Sequence, residues 1–226
     1  MCGRFASFQP PEAIRALFRT VNPVPEDTRP SWNVAPSQPA LVVRRHPETG
    51  DRHLDLLIWG LVPHWTKDLK AARRPINARA EGVASSSMFR GAFTSRRCLV
   101  PVDAWYEWQT TAAGKQPFAF ARPDRQTMAF AGLWESWKAE GTGKVLRTFA
   151  IITTAPNTPA ARVHDRMPVI LQPADWPVWL GEAAGDPGAL LRPAPDELVE
   201  AWAVSRDVNT PRNNTPALLA PLPDQG

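Results

Sequence analysis

The sequence predicts an α+β fold: a strongly curved, barrel-like antiparallel or mixed β-sheet core with short flanking helices. Three observations carry this. Short apolar runs bounded by Pro and Gly outnumber helical patterns, and the helices do not alternate regularly with them, which argues against a doubly wound sheet. Prolines number 25 in 226 residues and stand singly, as at Pro30, Pro36, Pro63, Pro75, Pro101, Pro117 and Pro168. That pattern suggests many short elements joined by fixed turns. Hydrophobic residues make up 43% and charged residues 21%, a globular balance that excludes a disordered chain. Length and the lack of a repeat or linker favour one domain over residues 1–226, with an ordered part near 2–216 and a tail that frays after Pro216.

The first element is a helix over Pro10–Arg19, with Pro at its start and Ile14, Leu17 and Phe18 at helical spacing. Strands follow at Ala40–Arg44, Leu54–Trp59, Arg97–Val102, Trp105–Gln109, Pro117–Ala121, Met128–Leu133, Thr148–Thr153 and Val169–Leu171, with one more near 200–205. Short helices fit Ser86–Phe93, Pro159–His164 with Thr158 as N-cap, and Ala174–Leu180 closed by Gly181.

No apolar run approaches the roughly 18–20 residues that span a bilayer, so an integral membrane protein is not expected. Arg4 lies where a secretory apolar segment would begin, which argues against export. Two cysteines, Cys2 and Cys98, do not make a disulfide framework, and free thiols fit a reducing cytoplasm. The net charge is +4, but the stretch 67–97 holds Lys67, Lys70, Arg73, Arg74, Arg79, Arg90, Arg96 and Arg97 against only Asp68 and Glu81. A polyanion partner and a solvated basic face explain that run equally well.

Four places carry candidate chemistry. Initiator Met is readily removed before a small residue, so Cys2 is expected to begin the mature chain. Its amine would titrate near 7.7–8.0 and its thiol near 8.5. Together they can capture an aldehyde, the amine as an imine and the sulfur by closing a five-membered thiazolidine. An incidental Cys at a chain end is the plainer explanation. In an extended Ile76–Glu81, residues Asn77, Arg79 and Glu81 share a face able to hold a phosphate or sugar oxygen, as any edge strand with those residues would. Glu107 sits in the aromatic run Trp105-Tyr106-Glu107-Trp108; burial would raise its pKa and suit it to acid–base work, and an Arg partner would make it structural. His164 precedes a strand in Val163-His164-Asp165-Arg166-Met167-Pro168, where loops carry function. Cys98 reads as core. No Cys or His spacing suggests a metal site, and no cofactor is expected.

Taken together, Met-Cys-Gly-Arg-Phe, Trp32-Asn33-Val34-Ala35-Pro36, Trp59-Gly60-Leu61-Val62-Pro63-His64-Trp65, Asn77-Ala78-Arg79-Ala80-Glu81, Arg97 through Trp108, Ala131-Gly132-Leu133-Trp134-Glu135 and His164-Asp165-Arg166-Met167-Pro168 occur in the order of one family. The chain resembles the SOS response-associated peptidase (SRAP) family of abasic-site DNA–protein crosslinkers. Val204-Ser205 and Val208-Asn209 give late support, and Ala104-Trp105 departs from the usual Gly-Phe, which should change packing beside Glu107. The resemblance implies a basic groove for single-stranded DNA containing abasic sites, with Cys2 as crosslinking nucleophile. It implies Glu107 as the acid–base carboxylate for ring opening, His164 as proton donor, and Asn77 as the residue that positions Cys2. It implies phosphate contacts from Arg79 and Arg166, and DNA contact or stacking by Arg4, Trp65 and Trp108. It also implies a monomer in the cytoplasm, nucleoid-associated during DNA damage, with peptidase and lyase-type side activities. Two other readings remain: an N-terminal-nucleophile cysteine peptidase or amidohydrolase, and a non-catalytic single-stranded DNA-binding module.

Overall fold

The computed structural model describes residues 2–223. In chain order its elements are β1 (Phe5–Ser7), α1 (Pro11–Phe18), β2 (Ser31–Val34), β3 (Pro39–Arg45), β4 (Arg52–Trp59), β5 (Asn77–Arg79), α2 (Arg90–Ser95), β6 (Arg97–Val102), β7 (Ala104–Thr111), β8 (Gly114–Ala121), β9 (Met128–Lys138), β10 (Val145–Thr154), α3 (Thr158–Ala161), β11 (Met167–Pro168), β12 (Ile170–Leu171), α4 (Trp176–Leu180) and β13 (Glu200–Ala203).

Five strands close on themselves. β3 and β4 form an antiparallel hairpin. β4 runs parallel to β10 through Ile58–Thr148 and Trp59–Phe149. β10 pairs antiparallel with β9, β9 with β6, and β6 returns to β3 through Leu99–Val43 and Cys98–Arg44. The ring β3–β4–β10–β9–β6 is the expected barrel-like core, and its closure leaves none of the five as an open edge within the ring. Alternate residues of its strands point to two apolar clusters. Val42, Leu57, Val100, Phe130 and Ile151 pack with Phe5, Trp105 and Phe120 of the second sheet. Leu41, Val43, Leu99, Leu133 and Ile152 pack with Ile14 and Phe18 of α1 and with Trp176 and Trp179 of α4.

Gly132 is where three barrel strands crowd together. It pairs with Cys98 of β6 and Ile151 of β10. A Cβ there would lie 2.9 Å from Cys98 Sγ and 3.1 Å from Val100 Cγ2. Only a residue without a side chain fits between these neighbours.

The second sheet has the order β13–β8–β7–β1–β2. β1 lies between β7 and β2, with Phe5 opposite both Trp105 and Val34. Asp103 locks the chain as it leaves β1: its buried carboxylate accepts the Phe8 and Gln9 backbone N–H at 2.6 and 2.9 Å and the Thr127 hydroxyl at 2.6 Å. Buried Asn33 on β2 donates its amide to the carbonyls of Val208, Thr210 and Asn213, fastening the late chain to the same sheet. Trp105, where the family pattern has Phe, stacks on Phe120 at 4.8 Å. Its indole N–H is buried with no partner among the described residues.

Several expectations are corrected. β1, β2 and β11 were not expected; they are two to four residues long and leave too little sequence for a period to register. α3 is capped by Asn157, not Thr158, because the Asn157 side chain accepts the Ala160 N–H at 3.1 Å. The helix ends at Ala161, so His164 lies beyond it on a turn. α2 begins at Arg90 rather than Ser86, after a separate hydrogen-bonded turn. The segment after Pro216 does not fray at once. Leu218 is buried, Trp202 Nε1 donates to Leu219 O at 2.9 Å, and Leu222 N–H bonds Ala203 O at 2.9 Å; residues 224–226 lie outside the described residues. Cys98 is fully buried, as expected.

Replacing Gly132 by Ala should lower unfolding stability by about 1–3 kcal/mol through overpacking. Adding Cys98→Ala should restore part of that loss, since the closest clash is with its sulfur. Urea denaturation of the single and double variants checks both outcomes.

Candidate functional site

Placing β1 inside the sheet carries the amino end of the chain inward. Cys2 is fully buried in the cluster that contains Phe5 and Trp59. Burial and the nearby Glu107 carboxylate push its thiol pKa well above the ordinary value, and the Arg4 backbone N–H opposes them weakly. The sulfur is therefore held as a thiol and needs a base before it can act as a thiolate.

Glu107 comes from β7, the strand that flanks β1, in register with Phe118 of β8. Its aromatic and aliphatic surroundings leave it 2% exposed. Burial raises its carboxyl pKa to about 7, with the Asp165 charge adding to the rise. Near neutrality it can both give and take a proton.

His164 faces it from the turn after α3. Its Nε2 stands 3.9 Å from Glu107 Oε2, beyond hydrogen-bond length. The Arg166 backbone N–H donates to His164 Nδ1 at 3.0 Å, and Asp165 Oδ1 lies 3.0 Å from the same nitrogen. In the neutral ring Nδ1 faces both the Arg166 donor and the Asp165 carboxylate, and Nε2 is the nitrogen turned to Glu107. Burial lowers the His164 pKa, favouring that neutral form. Glu107 and His164 share a cleft of about 640 Å3 with Trp108, Thr110, Lys115, Val163, Asp165 and Asn209.

Asn77 sits on β5, which extends β10 in parallel through the Asn77–Ile151 pair. Its side-chain oxygen and nitrogen are both buried and make no hydrogen bond among the described residues. An orphaned buried amide costs about 1–3 kcal/mol. Arg79, two residues on, is exposed and pairs in register with Thr153.

The other expected contacts divide. Arg166 is committed within the chain: it grips Glu81 through two bonds of 2.6 and 3.0 Å and donates to Thr153 O at 2.6 Å. Arg4 donates to Asn33 Oδ1 and Val208 O and holds its guanidinium 6.0 Å from the Trp108 ring. Trp108 in turn donates to Asn209 Oδ1 at 2.7 Å. Trp108 and Asn209 thus line the cleft, with Arg4 packed near the indole. Trp65 is half exposed and lies in a different cleft, with His64, Lys67, Trp137 and Lys138. Of the basic run, Arg96 bonds buried Glu135 at 2.8 Å, and Arg97 bonds the carbonyls of Phe93, Thr94 and Trp179.

Sequence reasoning missed Lys115, Thr110 and Asp165 as cleft residues, and Glu81 as the carboxylate that holds Arg166. The pairing of Thr110 with Lys115 across the β7–β8 hairpin was the only available signal, and it needs the hairpin register to be known. Among the described residues no group of three or more His, Cys, Asp or Glu could hold a metal ion.

Comparison with known proteins adds the decisive observation. The model of the family described as SOS response associated peptidase (SRAP) matches residues 1–211. The chain belongs to the SRAP family. Among SRAP relatives, the abasic site processing protein YoqW of Bacillus subtilis (strain 168) is 40% identical over 97% of this chain and 99% of its own length. The abasic site processing protein YoaM of the same organism is 38% identical over 97% of each chain. A crystal structure of a protein from Bacteroides thetaiotaomicron shares the SRAP fold with a TM-score of 0.88 at 23% identity, covering 98% of this chain and all of that one.

Because the Glu107 pKa rises from 4.5 to about 7 on folding, the folded chain binds the extra proton between those values. Its contribution is complete below pH 4.5 and is lost as pH rises through 7, on the order of 3 kcal/mol. Glu107→Gln should flatten that part of the stability–pH curve. Chemical denaturation of both proteins from pH 4 to pH 8 checks it; parallel curves would contradict the buried-carboxylate assignment.

Proposed function

We propose that this chain processes abasic sites in single-stranded DNA by covalent capture at Cys2 after Met1 is removed. The observation that carries the reading is the convergence of Cys2, Glu107 and His164 at the buried end of β1, in a chain of the SRAP family. The abasic site processing names of YoqW and YoaM support the lesion as substrate.

An abasic deoxyribose exists mainly as a closed hemiacetal and reacts as its open aldehyde. Glu107, protonated for part of the time near neutrality, donates to the ring oxygen, while the anomeric hydroxyl gives its proton to solvent water. His164 Nε2 is the second proton-handling group at that face. The Cys2 amine adds to the aldehyde carbon and water leaves to give an imine. The Cys2 sulfur then adds to the same carbon and its proton passes to the nitrogen, closing the thiazolidine. A thiol held protonated by burial fits this order, amine first and sulfur second. Sulfur closure also removes the imine that would otherwise drive β-elimination of the DNA strand, so the chemistry is lyase-like with the strand kept whole.

Asn77 offers its unpaired amide to the Cys2 end or the sugar. Arg79 and Lys115 supply cations for the flanking phosphates, while Arg166 acts by holding Glu81 and the end of β10. Trp108 and the exposed Trp65 offer ring faces for unstacked bases, each worth roughly 1–3 kcal/mol. A single strand suits both, since a duplex hides the base faces.

Two outcomes test this. Incubated with a uracil-DNA-glycosylase-treated oligonucleotide, the native chain should give a heat-stable band shift on a denaturing gel. Cys2→Ala should give none, and Cys2→Ser should leave more cut strand; a Cys2→Ala variant with the native yield would overturn the reading. Asn77→Ala should slow adduct formation at least about tenfold. The same change should leave stability equal or raised by about 1 kcal/mol, because it removes an unsatisfied amide. Single-turnover gels and urea denaturation measure the two effects on one preparation.

A further inference from the structure

A second cleft, of about 690 Å3, shares no lining residue with the Glu107 cleft. Arg45 at the end of β3 and Arg97 at the start of β6 enter it together, beside Gly181 at the C-terminus of α4. Each guanidinium is immobilised by carbonyls rather than by acids. Arg45 donates Nε to Gly50 O at 3.2 Å and Nη1 to Gly181 O at 2.8 Å. Arg97 donates Nε to Trp179 O, and Nη1 to Phe93 O and Thr94 O at 2.7 and 2.9 Å.

In both residues Nη2 makes no hydrogen bond among the described residues, and both groups meet at one glycine. The carbonyl of Gly181 takes Arg45, while Arg97 Nη2 lies 3.2 Å from where a Cβ on Gly181 would stand. Gly181 has φ +76°, so its αL geometry and the room for Arg97 are needed together. Among the described residues no carboxylate forms an ion pair with either arginine. Glu182 is taken by Arg52 through bonds of 2.7 and 2.6 Å, and Glu48, the one acid lining the cleft, forms no ion pair with either arginine among the described residues. Burial without a counter-ion holds the Arg97 pKa below its ordinary value.

Two guanidinium groups that both reach Gly181, with donors left over and no ion pair to either among the described residues, call for an anion with several oxygens. We infer that Arg45 and Arg97 form a preorganised fork for a phosphate group, in a site separate from the cleft of Glu107 and His164. A phosphate matches because adjacent guanidinium donors suit its tetrahedral oxygens. That chemistry is shared by the backbone of a nucleic acid and by a free phosphate, and it does not depend on crosslinking.

The test titrates the full chain with inorganic phosphate and, separately, with an intact single-stranded oligonucleotide lacking any abasic site. NMR follows the Gly181 amide and the Arg97 Nε–H. The fork predicts that phosphate shifts both signals and that Arg45→Gln weakens phosphate binding at least about fivefold. Arg45→Lys, which keeps the charge but loses the fork, should fall between. If the anion is nucleic-acid backbone, Arg45→Gln also lowers the salt slope of oligonucleotide binding by about 1. If the slope is unchanged while phosphate binding falls, the fork serves a free phosphate. Phosphate that leaves both signals unmoved, or that binds Arg45→Gln as tightly as the native chain, overturns the inference. Adduct yield at saturating abasic oligonucleotide should be unaffected by Arg45→Gln, so this result and failure of the crosslinking reading can be told apart.

Discussion

The constraint on which the site depends is the insertion of a three-residue strand, β1, between β7 and β2. Backbone pairing on both sides gives Phe5–Ala6 no freedom to slide, and Asp103 clamps the chain just beyond. The end of the chain is thereby driven under the aromatic cluster, where Cys2 meets the one carboxylate that β7 turns inward. A chain end tied down at a single strand edge would fray. Here the tie also runs through Arg4, which bridges Asn33 on β2 to Val208 in the late chain. The start of the described chain and its late segment thus meet at the same sheet, beside the cleft residues Trp108 and Asn209.

Desolvation then tunes the chemistry. One low-dielectric environment raises an acid, lowers a base and keeps a thiol protonated, so that Glu107 can hold a proton near neutrality while His164 is favoured in its neutral form. The barrel supplies the rigidity this needs. Trp105 and Phe120, which flank Glu107 on the second sheet, are packed against Phe130 and its neighbours on the closed ring, and Gly132 lets β6, β9 and β10 of that ring approach. The orphaned amide of Asn77 is likewise a local cost in stability.

Much of this was legible in the sequence, and the part that was not has physical reasons. Long apolar runs announced β3, β4, β6, β9 and β10, because burial on both faces leaves continuous hydrophobic stretches. Barrel closure was not legible, since the β4–β10 contact joins Ile58 to Thr148 and no local pattern encodes it. Cys2, Glu107 and His164 could be nominated from residue type and family order, but their meeting depends on β1, whose three residues carry no period. Arg166 shows the reverse limit. The family resemblance implied a phosphate contact there, and only the fold reveals that Glu81, on the face already noticed beside Asn77 and Arg79, is bonded to it. Likewise Arg96 raised the apparent charge of the basic run, while its guanidinium is bonded to buried Glu135.

The most direct measurement of the central claim is the intact mass of the adduct formed with an abasic oligonucleotide. The account predicts a protein portion lacking Met1, joined to the DNA with loss of one water, and a bond that borohydride treatment leaves unreduced because sulfur has already closed the ring. An adduct that still carries Met1, or a borohydride-reducible imine as the final product, would contradict capture by the paired amine and thiol of Cys2.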